Sequence, residues 1–209
     1  MNTRTLLIGA ALFGSTAMMA QSSRVSAGLE LALPLGTYGN SSGIGFGATL
    51  GYEIPVGDHL GLMAQAGYIL FTGKDYTTLG ITIKGPSSGT IPIQVGAKWY
   101  FSEQQKGFYV AALIGVHMAS VTTPAITFNG TVISPETSKL NTYFSYAPLM
   151  GYMVTDNIDL ALRYQIELAT TTVTVGTVSA TSTVGYGYLG LRAAYMFGGG
   201  GGGGHHHHH

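Results

Sequence analysis

The sequence predicts an all-β fold: an eight-stranded, antiparallel, up-and-down transmembrane β-barrel with short turns at one end and longer loops at the other. Three observations predict it. Hydrophobic residues make up 45% of the 209 residues and charged residues only 9%, against about 25% charged in an ordinary globular chain. Yet no run beyond the N-terminal segment is long and apolar enough for a membrane helix, so the apolar residues must be spread by alternation. The stretch 185–197 then ends with aromatics on its apolar side, as the interfacial girdle of a membrane barrel does.

Eight alternating segments follow one another, each with every second side chain apolar. The first, 24–34, turns Val25, Ala27, Leu29, Leu31 and Leu33 outward. The second, 43–54, turns out Ile44, Phe46, Ala48, Leu50, Tyr52 and Ile54. The third, 58–71, and the fourth, 90–101, present Leu60 to Leu70 and Ile91 to Phe101 at alternate positions. The fifth, 107–118, shows Phe108, Val110, Ala112, Ile114 and Val116. The sixth, 142–154, carries Phe144, Tyr146, Pro148, Met150 and Tyr152, and its proline removes one ladder hydrogen bond. Pro148 marks a bulge, a strand end or a lateral gap. The seventh, 157–168, turns out Ile158 to Leu168, and 185–197 is the eighth.

Connections alternate in length. Residues 55–57, 102–106 and 155–156 are tight polar turns, whereas 36–42, 73–89, 120–141 and 170–184 are longer. With an even strand count both termini fall on the short-turn side, expected to be periplasmic. Trp99, Phe101, Phe108, Tyr152, Tyr195 and Phe197 then form one aromatic girdle, with Phe46, Tyr68, Phe144 and Tyr164 near the other rim. Among the longer loops, Asn129-Gly130 between two β-prone runs is a strong hairpin signal. The Thr- and Val-rich run 171–184 and the alternating run 79–84 are either solvated loops or strands continuing above the membrane.

The inward set is small or polar: Gly28, Glu30, Gly45, Gly47, Glu53, Gln65, Gln94, Lys98, His117, Asp159, Arg163, Gln165, Glu167 and Arg192. Eight strands leave a lumen that side chains fill, so these charges must pair. Glu30, Glu53, Lys98, Arg163, Glu167 and Arg192 form the expected network, with Arg192 seeking Glu30, Glu53 or Glu167. Such a core either staples the barrel or lines a narrow conduction path.

Other chemistries are weakly supported. Net charge is +0 with no Lys/Arg cluster, which argues against a nucleic-acid partner. Cysteine is absent, removing disulfides, metal thiolates and a Cys nucleophile. His59 and His117 fall at opposite ends of the barrel, so no metal or cofactor is expected, and His59 reads as a solvated turn residue.

Both ends of the chain lie outside the predicted barrel, 21–197. Residues 1–20 read as a secretory signal, with Arg4 in the n-region, an apolar stretch over 6–13, and cleavage after Ala17 or Ala20. Residues 198–209, glycines followed by histidines, read as a purification tag rather than a native metal-binding tail.

The signal ending in Met-Ala-Gln, the run Gly45-Phe46-Gly47-Ala48-Thr49-Leu50-Gly51-Tyr52 and the ending Tyr188-Leu189-Gly190-Leu191-Arg192 to Phe197 carry a family likeness. The chain resembles small eight-stranded outer-membrane proteins: the OmpA transmembrane domain, OmpX, and the outer-membrane β-barrel domain family common in Bacteroidota. The resemblance covers nearly all of 21–197 and speaks to architecture more than to role. It implies insertion by the barrel assembly machinery, with Tyr195 and Phe197 in the recognition signal, and surroundings of outer-membrane lipid and lipopolysaccharide. No peptidoglycan-binding domain follows Phe197, so the anchoring role of OmpA is not expected.

Two enzyme families share such barrels. Lipid A deacylases carry a His-x-Ser pair with a Glu orienting the His, but here Ser120 lies three residues after His117, on the opposite face. The palmitoyltransferase relative needs an amphipathic N-terminal helix, for which 22–26 is too short. The expected function is therefore non-enzymatic: a structural or surface-interaction role, binding a protein partner through the loops or packing its wall into a larger assembly. The alternative is a narrow channel or carrier for small apolar molecules, similar to OmpW. A lipid A-modifying hydrolase is the remote third.

Overall fold

The computed structural model describes residues 23–78, 81–83, 85–128, 131–175 and 178–198. The signal segment, the Gly/His tail beyond 198, Asn129-Gly130 and Gly176 lie outside the described residues. In chain order the elements are β1 (Arg24–Leu35), α1 (Gly36–Ser41), β2 (Ser42–Val56), β3 (Leu60–Gly73), β4 (Tyr76–Thr78), β5 (Ile81–Ile83) and β6 (Ser87–Tyr100). A 3-10 turn (Glu103–Gln105), β7 (Gly107–Thr123), β8 (Ile126–Phe128), β9 (Thr131–Ser134), β10 (Thr137–Met153), β11 (Ile158–Val175) and β12 (Val178–Phe197) complete it.

Eight of these strands close into a barrel in the order β1-β12-β11-β10-β7-β6-β3-β2, antiparallel throughout. Closure sets Val25 opposite Phe197, so the first and last strands begin and end at the same rim, the turn end. Alternation explains the wall: Leu29, Leu50, Val95, Ile114 and Leu191 are exposed outward, while their neighbours point into the lumen. Among the described residues no helix is long and apolar enough to cross a membrane.

Small inward residues make space for long ones. A Cβ at Gly190 would meet the carboxylate of Glu30 and the side chain of Arg163. One at Gly61 would press on Glu53. The glycine-rich strands thus leave room for lumen side chains longer than an eight-stranded barrel could otherwise hold.

The strands outrun their expected bounds at the loop end. β11 and β12 have 18 and 20 residues, where about 9–11 tilted residues cross a bilayer. They pair up to Val175 opposite Val178, and β7 pairs with β10 up to Thr123 opposite Thr137. Hydroxyl contacts rivet both extensions: Thr170 to Thr183 at 3.1 Å and Ser120 to Ser138 at 2.9 Å. Two short hairpins, β4/β5 and β8/β9, sit in the remaining loops. The Thr-rich runs are therefore sheet, because β-branched residues favour pairing over a loose loop. Among the described residues, no pairing joins β10 to β11 above Phe144 opposite Leu168. Two strand edges stand open there.

Prolines interrupt the wall where sequence alone was ambiguous. At Ala147 and Pro148 the β10–β11 ladder lacks two residue pairs without changing register, while the β10–β7 ladder runs on. Pro148 is thus neither a bulge nor a strand end. The seam is closed from inside by Gln165, whose Nε2 donates to the carbonyl of Tyr146 at 3.3 Å. Pro92 leaves a similar skip between β3 and β6.

Candidate functional site in the barrel lumen

At the turn end the lumen is packed with paired charge. Lys98 Nζ lies 3.0 Å from Glu53 and 3.5 Å from Asp159. Arg24 reaches Glu53 at 3.2 Å, and Arg192 reaches Asp159 at 3.3 Å. Tyr100 and Tyr109 flank the ammonium, with Lys98 Nζ at 5.3 and 4.1 Å from their ring centres. Each phenol also donates to a carboxylate: Tyr100 to Glu53 at 2.7 Å and Tyr109 to Asp159 at 2.6 Å. Every one of these side chains is buried, and a buried charge this well partnered is costly to disturb.

This cluster differs from the expected network in three ways. Arg192 pairs with Asp159, not with Glu30, Glu53 or Glu167, and it also donates to Thr49 at 2.9 Å and Ser26 at 2.8 Å. Cross-strand register sets Arg192 beside Glu30 on the backbone, yet the side chain leans to the turn end. Arg24 belongs to the cluster although it was not singled out; its parity with Glu30 along β1 was the available signal. Gln105 is the third difference. Its backbone takes a left-handed φ of 56°, so the 3-10 turn tucks beneath the barrel. From there its amide donates to the carbonyls of Gly57 (3.1 Å) and Leu60 (2.9 Å) and accepts from Arg24.

The girdle residues Trp99, Phe101, Phe108, Tyr152, Tyr195 and Phe197 lie outside this cluster on the wall, all exposed. Phe101 contacts Phe108 at 5.4 Å and Tyr195 contacts Phe197 at 4.8 Å, centre to centre. His59 is not simply solvated: it is half-buried, stacks on Trp99 at 5.6 Å, and its Nδ1 meets the Tyr100 carbonyl at 2.9 Å.

Midway up, Arg163 and Glu30 pair at 2.6 Å, and Arg163 donates to the Tyr188 hydroxyl at 3.0 Å. Satisfaction then falls away. Among the described residues, Gln65 Nε2, Thr90 Oγ1, Gln94 Oε1, His117 Nε2 and Arg163 Nη1 are buried without a hydrogen bond. Near them a row runs from Ser145 through His117 to Glu167. Ser145 Oγ is 2.8 Å from His117 Nδ1, and His117 Nε2 is 3.8 Å from Glu167 Oε1. Sequence spacing could not show this, because Ser145 comes from the neighbouring strand. The row has the members of a nucleophilic triad facing the wrong way. Its serine is fully buried and accepts from Gln94 at 3.1 Å, while the carboxylate is the member that reaches the open mouth. Acyl transfer needs the hydroxyl at the substrate side and the acid behind.

At the loop end, aromatic rings cover the lumen. Tyr188, Phe71 and Tyr38 contact one another in sequence at 5.4 and 5.1 Å, with Ala32 and Ile69 beneath. Gly36, at φ 56°, turns the chain into α1, which carries Tyr38 over the mouth where a plain loop was expected. Its hydroxyl bonds Ser88 Oγ at 3.0 Å, and burial pushes it up to about 12, so it stays neutral. Between α1 and the upper strands lies a cavity of about 220 Å³ with Glu167 in its lining. Among the described residues, no three metal-ligating side chains cluster.

Comparison with known proteins agrees with this architecture. The family described as Outer membrane protein beta-barrel domain matches residues 5–197. No curated protein sequence matches the chain. Two solved structures of Ail, the attachment invasion locus protein of Yersinia pestis, share the fold. One, in complex with the heparin analogue sucrose octasulfate, is 13% identical with a TM-score of 0.52. The other is 12% identical with a TM-score of 0.53. Each alignment covers 86% of this chain and 100% of Ail. At such identity the likeness is one of fold alone.

Proposed function

Because the chain belongs to the outer membrane protein beta-barrel domain family, and so to the bacterial outer membrane, we propose that it is a non-enzymatic, non-conducting barrel whose loop end engages a protein partner. The observation that carries this reading is the contrast between a filled lumen and open strand edges above it. The buried side chains of Lys98, Tyr100, Tyr109 and Arg163 fill the lumen, which supports a barrel closed to solute. The upper edges of β10 and β11, by contrast, present backbone groups that can take an added strand. In this reading the termini are periplasmic, the extended hairpins face outside, and Tyr195 and Phe197 address the barrel assembly machinery. Outer-membrane lipid and lipopolysaccharide surround the apolar wall.

A second mode of partnership uses the wall itself. Small residues Ala27, Ala48, Ala66 and Ala193 sink a shallow apolar groove of about 680 Å³ into the outer face. This favours packing against another membrane subunit, the larger-assembly form of the same role. The carrier alternative would need a side opening, and the Pro148 seam is filled by Gln165.

A pull-down from the native host in mild detergent tests the proposal. The full chain should retain a partner that is lost when 169–184 is replaced by a two-residue turn. In parallel, planar-bilayer recording of the full chain should show no steady openings. Uniform, persistent openings would establish the channel reading instead, and a partner retained by the trimmed chain would shift the contact to the wall.

A further inference from the structure

The buried charges of the lumen are not evenly distributed. Arg24, Lys98 and Arg192 share Glu53 and Asp159 at the turn end, and Arg163 holds Glu30 at mid-height. Glu167 is left over. It is only 6% exposed, and among the described residues its one charge-capable contact is His117 Nε2 at 3.8 Å, beyond hydrogen-bond reach. Its carboxylate lines the cavity at the mouth instead. A buried carboxylate with no bonded cation is costly to ionise, and a positive ligand in the cavity would favour its charged form.

The surrounding groups say what that is. Tyr38, Tyr143 and Tyr186 line the same cavity, with Ser42 and Ser88 supplying hydroxyls. The rings of Tyr38 and Tyr186 stand edge to face, 6.2 Å apart at 71°, so they form two adjoining walls. Glu167 lies directly opposite Tyr186 across the β11–β12 ladder, and Tyr143 opposite His117 across β7–β10, which brings four strands' side chains to one spot. We propose that this mouth is a binding site for a small organic cation, an alkylamine or a quaternary ammonium group, held by Glu167 and the faces of Tyr38, Tyr143 and Tyr186.

Chemistry favours this class over an inorganic ion. A hard divalent cation asks for about six or more oxygen ligands, and the cavity offers one carboxylate with no cluster of three metal-ligating side chains among the described residues. Aromatic faces, in contrast, attract a diffuse positive charge and lose little by shedding water. The volume of about 220 Å³ is below the range of roughly 300 Å³ upward typical of drug-sized ligands, which suits a head group. The site is separable from the partner contact proposed above: Glu167 lies within the paired part of the β10–β11 ladder and Tyr38 on α1, and of the residues named only Tyr143 belongs to the open upper edge of β10.

The test titrates tetramethylammonium chloride, then n-butylammonium chloride, into the full folded chain in detergent micelles, with potassium chloride at equal ionic strength as control. Amide NMR shifts are followed at α1 and at Tyr143, Glu167 and Tyr186. Expected are saturable shifts confined to these positions with either organic cation and none with potassium. Glu167→Gln should weaken binding about tenfold or more, and Tyr143→Leu about threefold. Tyr143 is only half-buried, so that variant keeps the question open to decision should Glu167→Gln not fold. Non-saturating shifts, an equal response to potassium, or unchanged affinity in a folded variant would each overturn the proposal.

Discussion

The two ends of the lumen are built from the same residue types and behave in opposite ways. At the turn end every charge has a partner, two phenols clamp the central ammonium, and Gln105 closes the floor. At the loop end polar atoms lie buried without hydrogen bonds, one carboxylate lacks a bonded cation, and a cavity opens beneath α1. Fully satisfied polar networks rigidify a core, while partly satisfied ones are where binding groups are held ready. On the proposed reading the difference divides the labour: the turn end holds the barrel together, and the loop end is where other molecules would bind.

Substitutions can break this contrast. The largest effect is expected at Asp159, which receives Lys98, Arg192 and the Tyr109 hydroxyl together. Asp159→Ala should cost about 3–5 kcal/mol, read as a lowered urea midpoint in vesicles. Next comes Arg192→Met, which leaves Asp159 still paired with Lys98 and should cost about 1–3 kcal/mol. Its heat-modifiable gel mobility should be retained at low temperature and lost sooner on warming; unchanged thermal loss would remove Arg192 from the staple. At the loop end, Tyr38→Phe deletes a hydroxyl that bonds Ser88 and should cost about 1 kcal/mol.

Much of this was legible in the sequence, and the gaps have a common cause. Alternation alone identifies which side chains of the eight barrel strands face outward, because a period of two leaves no other choice for a half-apolar strand. It also brings Glu30 and Arg163 into the lumen together. What alternation cannot provide is height. Whether Arg192 meets Glu30 or Asp159 depends on stagger around the barrel and on side-chain lean, and whether Ser145 meets His117 depends on how β7 pairs with β10. Neither register is written within one strand. The lid formed by Tyr38 was hidden for a related reason: six residues between strands carry no period, and contacts with distant residues, Phe71, Tyr186, Ser88 and Lys74, hold them in place.

The division between the ends is tested most directly by one pair of isosteric changes measured side by side. Glu53→Gln and Glu167→Gln each replace one buried carboxyl group by its isosteric amide. Urea unfolding in the same vesicles should show Glu53→Gln losing about 3 kcal/mol, because Arg24 and Lys98 lose a shared anion. Glu167→Gln should lose less than about 1 kcal/mol, since no bonded cation is orphaned. Equal losses, or a larger loss at Glu167, would contradict the account.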